Sequence, residues 1–487
     1  MRIHMRIEFC GADRTVTGSS HLIEINGSRL LLDLGLYQGR RDEARVINRA
    51  LPPQLRAIDA IILSHGHLDH CGRLPMAAHQ GYSGPIYCTP ATREVAKIVL
   101  NDSAQIQLED VQYLGRRSVP PGQRLDEPLY FQADVDAAMK LMRVVPYGKR
   151  TDLGKGISFT FFDAGHILGS AYVRLDWNEA GRDRSLLFTG DIGRYNAPIL
   201  RDPQTLAGPF DTIVTESTYG NMLHGPMEAV EGQFLDAVKF CIEKRSRLLI
   251  PSFAVGRTQT VLWYMQKFVA QGTIPQIPII VDSPMGVEIS RIHSEFRDAY
   301  DDETQKLIGS NDLFGLSRIT FSSTVAQSKL INSQKGPCVI IASSPTCEFG
   351  RILHHLTQSV ERPDDMVVFV GWIPPQTLGR HLQDKAPRVR ILDRWYDVRC
   401  QIRTIHGLSA HADRDELLRF LKPTIGPGTR AYVVHGEVDQ AEAFAGRLLE
   451  AGMGWAGVPA RESSALDAKT APPPAQPAAT APATDGD

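Results

Sequence analysis

The sequence predicts an α/β protein in two parts: two sheets covered by helices, interrupted by an inserted parallel α/β domain. Three observations predict it. Residues 5–35 and 157–215 hold short apolar runs separated by turn signals. After Tyr219 the chain changes to regular alternation of strand and helix. After about residue 398 the earlier style returns, which makes the middle stretch an insertion.

Strands are predicted at residues 6–9, 21–25 and 29–33, and Asn26-Gly27 marks a hairpin between the last two. Residues 41–50 read as a helix and 57–64 as a buried strand. A short helix over 75–80, a strand over 85–88 and a long helix over 92–112 follow, and 114–128 reads as loop. Strands return at 157–162, 171–175, 185–189 and 211–215. The insertion carries helices over 228–245 and 258–271, with strands at 248–251, 277–281, 319–321, 338–342 and 366–370. The last part holds a strand over 399–405, a helix over 413–421 capped by Asp413 with Glu416, a strand over 430–434 and a helix over 439–451. From Glu462 onward Ala, Pro, Thr and Asp dominate, a composition that cannot bury a core and is expected to be disordered. The expected domains are 1–218, 219–398 and 399–460, with a tail at 461–487.

With 487 residues, 43% hydrophobic and 22% charged, the chain suits two soluble cores. No apolar run approaches the ~20 residues of a membrane span. Seven scattered cysteines without a C-x-x-C pair argue for reduced thiols in a cytoplasmic protein, and against a disulfide frame. A net charge of −2 gives no whole-protein support for nucleic-acid binding, so any polyanion site has to be local.

The chemistry concentrates at the end of one apolar run, in Ser64-His65-Gly66-His67-Leu68-Asp69-His70. Three imidazoles and a carboxylate within six positions suit zinc or a similar first-row metal. A chain leaving a strand puts alternate side chains on one side, so His65 and His67 can grip one ion together. Asp69 and His70 follow a further bend and would face a second ion. Cys71 is either another ligand or a small packing residue. Asp33, His166, Asp191, Glu216 and His435 also stand at carboxyl ends of predicted strands, most beside a glycine. Together they supply enough ligands for two metals.

The pattern His65-x-His67-x-Asp69-His70, then His166, then Asp191, resembles the metallo-β-lactamase fold of hydrolases. Glu216, Ser409-Ala410-His411-Ala412-Asp413 and His435-Gly436-Glu437 resemble the later motifs of its β-CASP nuclease branch. Glu216-Ser217-Thr218-Tyr219-Gly220, Pro251-Ser252-Phe253-Ala254-Val255-Gly256-Arg257 and Asp282-Ser283-Pro284-Met285 support the likeness. It implies an αββα sandwich with an inserted parallel α/β lid, and two Zn2+, with Mn2+ as an alternative. His65, His67 and His166 would hold one ion, and Asp69, His70 and His435 the other, with Asp191 between them. Asp33 would orient a ligand histidine.

The activity implied is zinc-dependent cleavage of single-stranded RNA, endonucleolytic at least, by a hydroxide held between the metals. Asp69, Glu216 and His411 are the implied catalytic residues, His411 as general acid oriented by Glu216. Arg257, Lys329, Ser344, Arg351 and Arg380 are candidate RNA contacts of the lid. A homodimer is the assembly the resemblance allows.

The lid departs from the family at Ser343–Arg351, where relatives carry a glycine-and-methionine loop, and at Gly371–Gln376, where theirs is more polar. These departures motivate a second reading, a two-metal hydrolase of a small phosphodiester or other ester. A third reading, a non-catalytic RNA-processing scaffold, would go with lost ligands, and no ligand is missing here.

Overall fold

The strands that carry the metal-competent residues are short, apolar and glycine-terminated, so they fill the middle of a sandwich and stop abruptly at one edge. The computed structural model describes residues 5–52, 55–116, 127–308, 314, 319–322, 324–334, 336–371, 373, 376–459 and 464–466. Its first sheet runs, in spatial order, Ser464–Leu466, Arg6–Gly11, Ser20–Ile25, Ser28–Leu32, Ala60–Ile62, Ile86–Cys88 and Met142–Val144. The second runs Trp455–Gly457, Arg430–Val433, Thr212–Thr215, Arg182–Phe188, Ala171–Glu179, Ile157–Asp163 and Thr151–Gly154.

The two sheets share one apolar interior, in which Phe9, Ile23, Leu30 and Ile62 meet Phe159, Phe161, Leu175 and Phe188. Helices Pro90–Arg116 and Gln132–Leu141 cover the first sheet, and Arg414–Leu421 and Val438–Glu450 the second. The Asn26-Gly27 hairpin forms as expected, with both residues at positive φ (49° and 71°) between antiparallel strands. Asp413 caps Arg414–Leu421 by accepting from the Asp415 and Glu416 amides, and Glu416 answers on the Asp413 amide.

The inserted sheet is parallel throughout, in the order Ile319–Phe321, Ile279–Asp282, Cys338–Ala342, Arg247–Pro251, Met366–Phe369 and Gln401–Thr404. Its central strands are apolar on both faces. Leu248, Ile250, Val339 and Ile341 pack on one side, and Leu249, Cys338 and Ile340 on the other.

Three expectations change. The strand Gln401–Thr404 was expected in the first domain after residue 398, but it hydrogen-bonds along Met366–Phe369 in the parallel sheet. Its alternation of exposed and half-buried residues is that of an edge strand, which reads like the half-wet strands of the sandwich. Residues 464–466, placed in a disordered tail, pair antiparallel with Arg6–Glu8. The sequence reading also missed Gln132–Leu141, Met142–Val144, Thr151–Gly154 and the hairpin of Arg388–Ile391 with Arg394–Asp397. Most of the 114–128 stretch read as loop lies outside the described residues.

The turn after Ser28–Leu32 lies directly on the metal-competent loop. The Ser19 amide donates to Asp69 O at 2.8 Å, Leu34 to His70 O at 2.9 Å and Leu36 to Leu68 O at 2.9 Å. A Cβ on Gly35 would sit 1.6 Å from Asp69 O. Gly35→Ala is therefore expected to destabilise the fold by about 3 kcal/mol and to displace Asp69. Urea unfolding checks the first part, and an unchanged midpoint would show that the two backbones can separate.

Candidate metal centre

Six strand ends converge on one edge of the sandwich. Ser28–Leu32 and Ala60–Ile62 run parallel in the first sheet. Arg182–Phe188, Thr212–Thr215 and Arg430–Val433 run parallel in the second, and Ile157–Asp163 points the same way through the antiparallel Ala171–Glu179. Just past these ends stand Asp33, His65, Asp191, Glu216, His435 and His166. Asp33 and His435 take left-handed backbone at φ 58° and 49°. Such strain in non-glycine residues gathers at functional sites.

Two groups of ligand-type atoms result. In the first, His67 Nδ1 lies 3.1 Å from His65 Nε2 and 3.2 Å from His166 Nε2. In the second, His70 Nε2 lies 3.1 Å from His435 Nε2, and Asp69 Oδ2 is 3.4 Å from His435 Nε2. Asp191 Oδ2 stands between them, 3.5 Å from His65 Nε2, 3.6 Å from His166 Nε2 and 3.3 Å from His70 Nε2. Atoms held tetrahedrally ~2.0–2.1 Å from zinc lie about 3.3 Å apart, so these spacings fit ligands around an ion. Histidines and aspartates are the donor types such an ion takes.

The electrostatics agree. Burial pulls His65 and His166 well below the usual imidazole value and His67 down to about 4, leaving lone pairs available. Burial also opposes charge on His70, yet the Asp191, Asp69 and Asp33 carboxylates hold it well above its usual value. Asp191 stays ionised against burial because the surrounding histidines hold its value far down. Its Oδ1 has no hydrogen-bond partner among the described residues. Buried carboxylates this crowded need a cation beside them.

Asp33 is itself fixed. Ser64 donates to it through its amide at 2.8 Å and its hydroxyl at 2.9 Å, and Ser19 Oγ donates at 3.1 Å. Its Oδ2 lies 2.7 Å from His70 Nδ1, which turns Nε2 toward the site. Cys71 is a packing residue: fully buried, it donates to Gly66 O at 3.5 Å.

Beside this centre, His411 Nδ1 lies 3.2 Å from Glu216 Oε2. Glu216 is buried and accepts from the Ile192 amide at 2.6 Å and the Thr218 amide at 3.3 Å. The His411 side chain is 19% exposed and reaches the opening, while Asp191 behind it is 1% exposed. Burial lowers the His411 value, but Glu216 and then Asp191 more than offset this and leave it raised.

Sequence reading missed His224. Its Nε2 donates to the His411 carbonyl at 3.1 Å, and its amide donates to Asp413 Oδ2 at 2.9 Å. The signal was its loop, which starts directly after Glu216. Thr218, whose hydroxyl lies 3.3 Å from His435 Nδ1, was also missed as an individual contact.

The five candidate RNA contacts fare differently. Arg257 begins a helix beside the His166 loop, and its Nη1 donates to Val370 O. Lys329 is exposed on the helix Val325–Ile331. Ser344 is buried, with its hydroxyl 3.1 Å from that of Thr346. Arg351 is held by Asp282 at 2.6 Å and the Ser322 carbonyl at 2.9 Å. Arg380 pairs with Asp384 at 3.0 Å. In the atypical loop, Glu348 Oε1 accepts the Leu378 amide at 2.5 Å, so the added charge caps a helix start. Trp372, Pro374 and Pro375 of the second departure lie outside the described residues. No helix among the described residues is long and apolar enough to cross a membrane.

Comparison with known proteins agrees with this geometry. Residues 13–251 match the Metallo-beta-lactamase superfamily, 258–382 the Beta-Casp domain and 395–457 the Zn-dependent metallo-hydrolase RNA specificity domain. The chain is 35% identical over 447 residues to Ribonuclease TTHA0252 of Thermus thermophilus, covering 91% of this chain and 96% of that one. It is 29% identical over 446 residues to Transcription termination factor FttA of Methanosarcina mazei, covering 89% of this chain and 67% of that one. A solved structure of a protein of unknown function from Enterococcus faecalis V583 shares the fold, with a TM-score of 0.54, 13% identity, and 95% and 99% of the two chains covered.

Asp33→Asn is expected to weaken metal binding about 10–100-fold, because a neutral amide orients His70 poorly. Chelator competition on the purified protein checks this. Unchanged affinity would remove Asp33 from the centre.

Proposed function

The chain belongs to the metallo-β-lactamase superfamily, and on that footing we propose that it is a zinc-dependent ribonuclease cutting single-stranded RNA internally. The observation that carries this reading is the His411–Glu216 pair set against the two ligand groups. A metal centre alone suits many hydrolases. An oriented acid at its opening suits loss of an alkoxide, the poor leaving group of an RNA linkage.

The first ion would be held by His65, His67 and His166, the second by Asp69, His70 and His435, with Asp191 shared. When bound, such ions acidify water and offset charge on a phosphoryl group. The chain's residues do the rest. Asp33 and the two serines hold His70 in one tautomer. Glu216 accepts the Nδ1 proton of His411, leaving Nε2 to carry a proton to the departing 3′ oxygen. His224 keeps the His411 backbone in place. The match to the RNA specificity domain and the likeness to a ribonuclease support RNA as substrate.

A second reading is favoured by the lid. Arg351 and Arg380 are engaged with acids of their own chain, and Glu348 occupies a backbone amide. A small phosphodiester needs none of these groups, so a small-ester hydrolase is the alternative.

Circular single-stranded RNA separates the readings, since it has no ends. Cleavage of the circle supports internal cutting. A circle left whole while a linear strand is degraded would sink that part of the reading. Hydrolysis of an aryl phosphodiester with both RNAs untouched would favour the small substrate.

Asp69→Ala is expected to lose metal. His411→Ala is expected to keep its metal and lose ~10²–10⁴-fold in RNA turnover. That defect should shrink on an aryl ester, whose leaving group needs no proton. An equal defect on both substrates would take the acid role from His411.

A further inference from the structure

Behind the metal centre, the seam between lid and catalytic half encloses a cavity of about 50 Å³. Since ~10–15 Å³ admits one water, it has room for a few waters or one tetrahedral oxyanion. The His166 loop, Arg194 and Ala410 line it from the catalytic half, and Arg257 and His293 from the lid.

Four features select an anionic ligand. His293 is 2% exposed, and neither ring nitrogen has a hydrogen-bond partner among the described residues. A buried imidazole left unpaired is destabilising, so a ligand or water is needed there. The helix Arg257–Ala270 starts at the cavity with no acid in its first turn; the Arg257 and Thr258 amides are taken by the Val255 and Phe253 carbonyls, so the helix contributes its dipole. Arg257 adds a positive charge, with its Nη1 donating to the Val370 carbonyl. No Asp or Glu is among the lining residues. Arg194 contributes less, because it donates to the Gly407 and Gly225 carbonyls and its Nε lies 3.6 Å from Glu416.

We propose that this cavity is an oxyanion site for a phosphate-class group, taken as free inorganic phosphate or as one phosphodiester of a bound strand. The bound group ties the lid to the loops that carry His166 and His411. The strand source rests on the RNA reading above, while the free source stands without it.

The test uses the purified, metal-loaded full chain, in which any phosphate held at the metal centre is common to the native and variant proteins and cancels in their difference. Inorganic phosphate is titrated by calorimetry into the native protein, His293→Gln and His293→Phe, with chloride at matched ionic strength as control. One His293-dependent site per chain is expected, at least ~10-fold weaker in His293→Phe and partly kept in His293→Gln, which retains a donor. Circular dichroism checks folding, and Arg257→Met is read instead if His293→Phe does not fold.

For the strand source, a neutral methylphosphonate is walked along a short RNA. One position should weaken binding in the native protein and have no effect in His293→Phe. A positive result in either arm upholds the site and identifies its source. Failure of both arms, or equal binding in native and variant proteins, overturns it and leaves the cavity to water. RNA that binds no form of the protein, with phosphate still bound at His293, would sink the RNA reading and leave the site standing.

Discussion

The structure depends on gathering ionisable side chains at one dry edge of a β-sandwich. His65, His70, His166, Asp191 and His435 are buried, and their nearest polar neighbours are largely one another. The ionised Asp191 and the free lone pairs of His65, His67 and His166 at such spacings call for a cation among them. The rest of the fold serves this cluster. Parallel strands aim six residues at the same edge, and Ser19, Ser64 and Asp33 brace His70 from behind. The backbone turn at Gly35 is pressed against the Asp69 carbonyl.

The second half of the machinery is a clamp between segments far apart in sequence. Glu216 ends a central strand, and the loop leading from it into the lid returns to His411 through His224. The Arg414 amide donates to Met222 O at 3.1 Å, and the Ala412 amide to Ile192 O at 2.8 Å. The segment around His411 is thus tied to both the Asp191 turn and the Glu216 loop.

Legibility followed physical range. The ligand-type residues were readable because His65, His166, Asp191 and His435 follow strands within three residues, and His67, Asp69 and His70 continue the same His65 loop, so the pattern is local. The Asp413 cap and the Asn26-Gly27 turn were readable for the same reason. The lid contacts were not. Arg351 sits beside a glycine in an apparently open loop, yet Asp282 takes its guanidinium from 69 positions away. Glu348 reads as an added charge in a phosphate path, but it caps a helix start 30 residues on. Gln401–Thr404 went to the wrong sheet because an edge strand has one wet side wherever it lies.

By itself, the sequence determined the chemistry: which atoms can hold a metal, and that they stand at strand ends. Side-chain type and alternation are local properties, so they survive without coordinates. Only the tertiary structure decided how these atoms are shared. It put Asp191 between two sets of histidines, set His411 against Glu216 across 195 positions, and left His293 unpaired at a seam beside Arg257. Those outcomes depend on which strands become neighbours and how the lid closes on the sandwich. Long-range packing sets both, and no window of sequence contains it.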